Sequence, residues 1–473
     1  MASPFPKRIP DPAESIPRWS ATGVSTPHSI VSPETIEHIA NVISYAASKN
    51  LKVVPIGGAH GSFLPVTDRT IYLTLENFKI VSLNEEKGEV SVGGGAITGD
   101  VLKTLAEKGW YTCTINSNAV GVVGALLGGF NHGLGGKHGL GVDFIRSINI
   151  VPFSLPSGLP SKGELVLSTE SQGEEKKLWD ALRGGGLGLG VITSVTLAAH
   201  RISSLNLTND KIWTRRLVFP APAISTAIDT FLNLPSPPPP ELAASLIFLR
   251  APPTAPVPGS PMAMLGLTFF GPAEDAEKAC GVAFKEEAVG KCINVGGTTA
   301  MTGFGNMNDA LDPMNRHGGY KDFHGGFMKD VSGEGIQAAF NAWLEFTAKD
   351  PKSRGSTYML LSRSSTTQTL ANARDDPTPF VPFRDRAVFV HVAAWYANAG
   401  EKGDADAFGK RVLEVVRKKD EEDGVKKCGF ANNWTWGQDV GDVFNDEQVS
   451  ELRRVKGVWD KGGVGWSPVV EGW

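Results

Sequence analysis

The sequence predicts a protein of mixed helices and strands, with two domains and a C-terminal segment. Its 473 residues exceed the size at which one hydrophobic core usually suffices. Up to about residue 205, helical patterns alternate with short apolar runs that end in glycine clusters. Beyond that point, proline-rich stretches separate longer strands and helices. We therefore expect domains at 1–205 and 206–425, followed by a segment at 426–473.

The first domain begins with a helix, a strand and a glycine turn. Ser32 is a suitable N-cap, and the apolar residues that follow it share one helical face. Asn50 is the expected end of this helix. The apolar run 51–56 then predicts a strand, which leads into the glycine turn 57–61.

The remaining elements follow from the same patterns of apolar spacing. In the first domain we predict strands at 71–75, 80–83, 90–92, 148–152 and 191–197, and helices at 101–108 and 178–183. In the second domain we predict strands at 246–249, 263–269, 358–362 and 388–395, and helices at 274–285, 335–346 and 405–419.

Composition argues against several classes of protein. The 46 basic and 50 acidic side chains give a formal charge of -4, which argues against a basic nucleic-acid surface. No apolar stretch approaches the roughly 20 residues of a membrane span. The N-terminus has no apolar signal region, so we expect a cytoplasmic protein without membrane or nucleic-acid partners. Widely spaced cysteines argue against a disulfide scaffold and a zinc site: Cys113, Cys280, Cys292 and Cys428.

Glycine is the unusual component, with 55 residues, and it is concentrated in the first domain. Glycine lets the backbone approach a ligand closely, and exposed backbone N–H groups bind phosphates. Turns and close packing alone are the alternative for any one cluster, but several clusters in one domain favour a large polyanionic cofactor. The spacing matches neither a P-loop nor a dinucleotide-binding G-x-G-x-x-G motif. The clusters lie at 57–61, 93–95, 121–129, 133–141 and 184–190.

Several of these segments, in this order, match the motifs of a known family. The turn 56–60 ends in a histidine, 120–124 reads VGVVG, and 138–143 reads HGLGVD. Further along, ALRGGG at 181–186 precedes GVIT at 190–193. Together these motifs resemble the FAD-binding module of the vanillyl-alcohol oxidase and p-cresol methylhydroxylase (PCMH) superfamily. The most similar branch is that of the berberine-bridge-enzyme-like and 6-hydroxynicotine-oxidase-like proteins.

The resemblance covers residues 25–200 well and the tail loosely, and it implies an α+β fold of two domains. A PCMH-type FAD-binding domain precedes a substrate domain whose antiparallel sheet is backed by helices, and the C-terminal segment returns to the first domain. The resemblance also implies which residues bind FAD, mostly through backbone atoms. They are Gly57, Gly58, Ala59, His60, Gly61, Ser62, Ser117, Gly121, Val122, Gly124, Ala125, Gly128, His138, Gly139, Val142, Asp143, Gly190, Val191, Ile192 and Asn432.

In this family the histidine of the first turn is bonded covalently to the flavin, so the resemblance implies FAD attached to His60. Some members add a second bond from a cysteine, whose position is occupied here by Ser117. Cys113 lies earlier in the chain, up to roughly 13 Å away if the backbone is extended. We therefore expect a single linkage, and we interpret Cys113 as a small buried hydrophobe.

The residue that takes a proton from the substrate is not the family's usual one. Phe430 occupies the position of a tyrosine in the family's tail, and a phenylalanine cannot accept a proton. The predicted strand 388–395 presents His391 and Trp395 on one face. Histidine suits general-base chemistry near neutral pH, so His391 is our first catalytic candidate. A histidine packed in the core is the alternative.

The segment 316–327 carries two histidines and a tyrosine among paired glycines. It suggests an aromatic wall of the substrate pocket, with an exposed polar loop as the alternative. The spacing of its histidines does not suggest a metal site, and we expect no metal. Tyr320 and His324 are further catalytic candidates. The side chains expected to contact substrate are Trp395, Asn432 and Trp434.

The expected function is that of an FAD-dependent oxidoreductase. The leading interpretation is an oxidase that takes a hydride from a small aromatic or alicyclic secondary metabolite and passes the electrons to oxygen. The missing tail tyrosine keeps an alternative open, a flavin-containing cyclase or dehydrogenase of specialised metabolism in which FAD is partly structural. A binding protein with a degenerate flavin site is the third possibility, and the completeness of the motifs argues against it.

Overall fold

The computed structural model describes residues 5–11, 16–156, 163–377 and 380–471. The first strands lie before residue 205: β1 (Lys7–Arg8), β2 (Ser29–Val31), β3 (Lys52–Ile56), β4 (Thr70–Thr74), β5 (Val81–Asn84), β6 (Glu89–Gly93), β7 (Trp110–Tyr111), β8 (Ile145–Pro152), β9 (Leu165–Ser168), β10 (Gly190–Ala198) and β11 (His200–Arg201). They form a mixed sheet in the order β1-β2-β4-β3, an antiparallel sheet in the order β5-β6-β10-β8-β9, and the pair β11-β7.

The helices of this region connect the strands and cover the sheets. Val42, Ile43 and Ala46 of the first helix pack on the mixed sheet, as the apolar spacing predicted. The longer helices enclose the core, whereas two single-turn helices interrupt the glycine-rich segment after residue 120. The helices are α1 (Ile36–Lys49), α2 (Thr98–Ala106), α3 (Val122–Leu126), α4 (Gly135–His138) and α5 (Gly173–Leu182).

Helix α1 begins later than the sequence predicted. Its N-cap is Thr35, whose side chain accepts a hydrogen bond from the backbone N–H of His38 at 3.1 Å. The Ser32 hydroxyl lies directly after β2 and bonds Thr74 at 2.7 Å, so it is used by the sheet and not by the helix. At the other end the prediction was right, because Asn50 adopts a left-handed conformation and its N–H caps the helix.

The strands after residue 205 form one antiparallel sheet of seven strands. Some neighbouring strands are consecutive in the chain and form hairpins, whereas others are joined by connections that cross to another part of the sheet. The strands are β12 (Lys211–Pro220), β13 (Leu242–Arg250), β14 (Pro261–Phe269), β15 (Thr298–Gly303), β16 (Tyr320–Met328), β17 (Tyr358–Arg363) and β18 (Val388–Tyr396). They lie in the order β15-β12-β14-β13-β17-β18-β16, and every neighbouring pair is antiparallel.

Helices cover one face of this sheet, and the α+β class with an antiparallel sheet backed by helices is confirmed. The helices are α6 (Ile224–Leu232), α7 (Ala273–Ala279), α8 (Glu286–Val289), α9 (Gly333–Lys349), α10 (Pro351–Arg354), α11 (Thr367–Asp375), α12 (Lys402–Val416) and α13 (Lys418–Glu422). The predicted helix 274–285 is interrupted: α7 ends at Ala279 and a 3-10 turn follows from Gly281. Glycine is a poor helix former, and the prediction did not take this into account because it rested on the spacing of apolar residues.

The C-terminal segment packs on the first sheets. Its helix, α14 (Asp446–Trp459), lies beside α5, where Arg454 forms an ion pair with Glu174 at 3.0 Å. Further on, the Lys456 ammonium donates to the carbonyl of Gly188 at 3.1 Å. The domain boundaries at 205 and 425 stay a prediction. Within the described ranges, no helix has the length and hydropathy needed to cross a bilayer.

Candidate flavin site

A cavity of about 640 Å³ lies between the glycine-rich loops and the face of the seven-stranded sheet opposite helices α6, α9 and α12. The loops 57–61, 115–133 and 187–192 contribute to one wall. Residues of the seven strands β12 to β18 and of the segment 306–315 form the other wall, and residues 430–433 of the tail close one side. The cavity is thus shared by all three parts of the chain.

The first wall depends on glycines that bring backbone segments into direct contact. A Cβ atom on Gly58 would lie 2.3 Å from the backbone nitrogen of Gly121, and one on Gly94 would lie 2.3 Å from the carbonyl oxygen of Ile192. Real Cβ atoms do not approach backbone atoms so closely, so these glycines cannot be replaced without moving the loops. By contrast, a Cβ on Gly124 would enter open space in the cavity.

His60 lies at the end of its glycine loop and is enclosed by aromatic rings. The Trp19 indole is stacked on it at 5.8 Å, and the His317 imidazole meets it edge-on at 5.0 Å. Its Nε2 atom is buried and has no hydrogen-bond partner. Burial, followed by the charges of His317 and Lys321, lowers the pKa of His60 to about 3. The imidazole is therefore neutral at physiological pH.

Most of the predicted cofactor residues line the cavity, and the others lie behind it. Those that line it come from the glycine loops and the tail, and those behind it are packed among core side chains. The lining residues are Gly57, Gly58, Ala59, His60, Gly61, Ser117, Gly121, Gly124, Ala125, Gly128, Gly190, Ile192 and Asn432. Ser62, Val122, His138, Gly139, Val142, Asp143 and Val191 do not line it.

His138 and Asp143 are engaged in structural contacts away from the cavity. The Nε2 atom of His138 bonds the Tyr111 hydroxyl at 2.8 Å, and its ring is stacked on His200. Asp143 forms a two-pronged ion pair with Arg384, at 2.6 and 2.9 Å, which joins the first region to the second. Both residues therefore support the glycine loops in this structure, and neither lines the cavity.

His391 lies in the cavity, as the alternation along its strand predicted. The side-chain N–H of Asn433 donates to Nδ1 at 2.6 Å, and the hydroxyl of Tyr358 lies 3.4 Å from Nε2. The neutral ring therefore carries its proton on Nε2. Burial, with a smaller contribution from His324, lowers the pKa of His391 to about 3, so the ring stays neutral throughout the physiological range.

The other candidates on the substrate side do not line the cavity. His324 follows the cavity residue Phe323 on β16, so strand alternation turns it toward α12, where it packs against Gly409 and lies 3.6 Å from Asp406. Tyr320 lies beside Tyr396, at a ring distance of 6.0 Å. Trp395 and Trp434 lie farther out: Trp395 packs over Lys321, and Trp434 is a core residue beside Phe444.

Three residues at the site were not found from the sequence. Trp19 comes from the N-terminal segment, Asn433 follows the predicted Asn432, and Tyr358 begins β17. The alternation of β17 gave a signal for Tyr358, because it shares a face with Leu360. Alternation alone, however, does not give the register in which Leu360 pairs with His391. Nothing in the sequence placed Trp19 next to His60.

The residues present fit an FAD molecule. The Ser117 hydroxyl and the His60 Nε2 atom are buried polar groups without partners at the cavity wall, and the space above Gly124 is open. Backbone donors and carbonyls, rather than charged side chains, form the glycine wall, as expected for a bound dinucleotide. The groups that would hold FAD are therefore the loops 57–61, 117–128 and 190–192. In the described part of the chain no cluster of metal-binding side chains is found.

Comparison with known sequences identifies the cofactor class. Residues 27–152 match the family described as the FAD binding domain. The FAD-linked oxidoreductase azaL of Aspergillus niger is 30% identical over 229 residues, which are 48% of this chain and 45% of that protein. The chain thus matches less than half the length of this relative. The FAD-linked oxidoreductase hasG of Aspergillus fumigatus is 25% identical over 95% of this chain and 93% of its own length.

Comparison with solved structures identifies the fold. The 6-hydroxy-D-nicotine oxidase of Arthrobacter nicotinovorans superposes with a TM-score of 0.75 at 18% identity, covering 97% of this chain and 96% of that one. The berberine-bridge-enzyme-like protein 1 of Physcomitrella patens gives a TM-score of 0.74 at 18% identity, covering 95% and 92%. The chain therefore contains an FAD binding domain, is similar to FAD-linked oxidoreductases, and has the fold of the berberine-bridge-enzyme-like proteins.

Proposed function

We propose that this chain is an oxidase that acts on a small aromatic or alicyclic alcohol. It removes a hydride from the carbon that bears the hydroxyl and a proton from the hydroxyl itself. FAD is attached to His60 by a single bond and accepts the hydride when bound, and oxygen is the final electron acceptor. The observation that carries the proposal is the position of the His391 ring, which lines the cavity and accepts a hydrogen bond at Nδ1.

The hydrogen bond to His391 indicates where a substrate hydroxyl binds. The amide of Asn433 occupies the donor position at Nδ1, and Asn433 itself lines the cavity. A substrate hydroxyl that displaces this amide donates to Nδ1 and delivers its proton there as the hydride leaves. Tyr358, on the opposite side of the ring, fixes the tautomer through Nε2.

The wall around His391 disfavours a cationic substrate. Phe323 and Phe389 flank His391, with ring centroids 4.5 and 5.8 Å from it. Within the described residues, the cavity lining contains no aspartate or glutamate. A cationic amine therefore has no carboxylate partner here, whereas an aromatic or alicyclic alcohol finds flat apolar contacts and a single acceptor.

The first experiment tests the attachment of FAD. Purified protein is precipitated with acid, and we expect the yellow flavin to remain with the wild-type protein. In His60→Ala the flavin should pass into the supernatant, whereas the matched Ser117→Ala variant should retain it. Acid-stable flavin in His60→Ala would disprove the linkage, and release of flavin from Ser117→Ala would show that the attachment depends on Ser117.

The second experiment tests the chemistry. Aromatic and alicyclic alcohols are screened without oxygen for bleaching of the flavin, and colour should return on admission of air. With a substrate in hand, His391→Gln should slow single-turnover bleaching by about 10²–10⁴-fold, the usual contribution of a general base. An unchanged rate would remove His391 from the mechanism. Tyr358→Phe is the matched control, since it keeps the ring but removes the hydroxyl next to Nε2.

A second function is favoured by one observation. Phe430 lines the cavity and offers no proton acceptor where the family's tail supplies a tyrosine. A cyclase in which FAD is partly structural does not need that acceptor. Product formation without bleaching supports the cyclase, and bleaching that air does not reverse supports the dehydrogenase.

A further inference from the structure

A lysine lies fully buried beside the proposed attachment residue. Lys321 is 0% exposed, and its ammonium nitrogen lies 4.5 Å from the centre of the Trp19 ring and 3.8 Å from that of Trp395. The ammonium also donates to the carbonyls of Arg316 and Gly318, the latter at 2.9 Å. Lys321 thus has two aromatic faces and two carbonyl oxygens as neighbours, which favour the protonated amine, whereas burial lowers its pKa to about 7.

Two of the structures that Lys321 contacts bear directly on His60. The first is Trp19, whose ring is stacked on His60 and whose backbone N–H donates to the carbonyl of Ala59 at 3.0 Å. The second is the loop 316–318, whose His317 meets the imidazole edge-on and bonds the carbonyl of Gly58 at 3.1 Å. The ammonium is therefore the common anchor of the two rings that enclose His60.

The N-terminal segment completes this arrangement. The guanidinium of Arg18 donates to the carbonyl of Gly61, and its backbone carbonyl accepts from Gly318 at 2.9 Å. The hydroxyl of Ser20 donates to the carbonyl of Lys321 at 2.5 Å. Residues 18–20 thus connect the glycine loop of His60 to β16, and Lys321 is the residue of β16 that contacts this segment.

We propose that Lys321 is a positioning residue for His60: its ammonium group holds Trp19 and the 316–318 loop in place, and through them fixes the orientation in which the imidazole meets the flavin. The inference rests on the proposed attachment of FAD to His60. A bond from an imidazole to a cofactor forms only in a narrow range of orientations, so loosening the two enclosing rings lowers the yield of the bond.

The test uses holoprotein of the wild type and of four variants made in parallel. Lys321→Met removes the charge and the donors, Lys321→Gln keeps a donor without charge, and Lys321→Arg keeps both. Lys456→Met is the matched control, because Lys456 is also buried but lies in α14 and is paired with Asp460. The first readout is the proportion of flavin that survives acid precipitation. The second is the histidine ¹³Cε1–¹H spectrum, in which His60 is identified by its absence in His60→Gln.

We expect Lys321→Met to reduce the acid-stable proportion roughly tenfold at unchanged total flavin and to shift the His60 signal, since the rings around it move. Lys321→Arg should restore both, and Lys456→Met should change neither. A wild-type proportion and an unshifted signal in Lys321→Met would overturn the inference. If Lys321→Met does not fold, Lys321→Gln is held to the same criteria.

The two readouts keep this inference separate from the proposed attachment. If the wild-type flavin is fully released by acid, the covalent bond is refuted, and the His60 signal alone decides the role of Lys321. A shift in Lys321→Met that Lys321→Arg reverses then supports positioning, and the absence of a shift refutes it. Equal losses of stability in Lys321→Met and Lys456→Met, with the His60 signal unmoved, reduce Lys321 to a structural residue.

Discussion

The two walls of the cavity are built by different means. In the glycine wall, backbone meets backbone: a Cβ on Gly58 would lie 2.3 Å from the nitrogen of Gly121. In the sheet wall, side chains such as Phe389 and His391 point into the space from strands whose backbone groups are all used in pairing. The glycine wall suits a constant ligand, the cofactor, whereas the sheet wall can change one side chain at a time and suits a variable one.

The largest effect is expected where the glycine wall has no room. In Gly58→Ala the new methyl group collides with the backbone of residues 119–121, and backbone cannot move aside as a flexible side chain can. We expect the protein to lose its bound flavin or to fail to fold, measured as flavin absorbance per polypeptide and as the thermal midpoint.

Gly281→Ala is the matched control for Gly58→Ala. Gly281 is exposed, and no heavy atom lies within 4 Å of the position of its Cβ. The free energy of unfolding of Gly281→Ala should differ from that of the wild type by no more than about 0.5 kcal/mol. Full flavin content in Gly58→Ala would mean that the two loops are not in contact, and the distinction between the walls would fail at its strongest point.

The next effect is expected at the junction of the two walls. Asp143 supports the glycine loops, and Arg384 reaches it from the second region; each side chain is 7% exposed. Arg384→Met leaves the buried carboxylate unpaired and should cost about 3–5 kcal/mol in the free energy of unfolding. Arg454→Met breaks an exposed pair with Glu174 and should cost at most about 1 kcal/mol. Equal losses in denaturant titrations would show that this junction does not stabilise the protein.

The difference between the walls explains how much the sequence revealed. Gly57, Gly58 and Gly121 were predicted to bind the cofactor because backbone recognition requires glycine at fixed places, and such requirements persist as motifs. Asp143 belongs to the same motif, yet it pairs with Arg384, since a motif does not distinguish a ligand contact from its support.

The sheet wall was harder to predict because it depends on strand register. Alternation placed His391 in the cavity and gave the correct face for Phe389. The same rule was not applied to the segment 316–327, where it separates Phe323 from His324. Phe323 faces the cavity, and His324 lies on the helix-covered side of the sheet. Contacts between distant segments, such as Trp19 on His60, leave no periodic signal at all.

A smaller effect is expected on the helix-covered face of the seven-stranded sheet, where the free energy of unfolding should decrease as the pH falls. His324 is surrounded by Asp406, Lys402 and Lys410, and burial lowers its pKa from 6.5 to about 3. The folded protein keeps this ring neutral while the unfolded chain binds a proton below 6.5, so stability is lost as the pH falls through that value. Between about pH 6.5 and 5.5 this one group should cost about 1 kcal/mol.

His324→Gln isolates that contribution to the pH dependence. The variant is less stable overall, but its unfolding free energy should fall less steeply with decreasing pH, by about 1 kcal/mol between pH 6.5 and 5.5. Urea titrations of both proteins at several pH values measure the two slopes. Identical slopes would show that His324 is protonated in the folded state, and Asp406 would then be its ion-pair partner.

The smallest effect is expected at a glycine that belongs to neither wall. Gly457 lies near the end of α14, is exposed, and has no heavy atom within 4 Å of the position of its Cβ. Because alanine favours the helix over glycine, Gly457→Ala should stabilise the protein by about 0.5–1 kcal/mol, measured in urea, and leave the flavin content unchanged. A loss of flavin in this variant would mean that glycine content as such, and not the contacts of particular loops, governs cofactor binding. The opposite signs expected for Gly58→Ala and Gly457→Ala therefore test whether the glycine wall is defined by position.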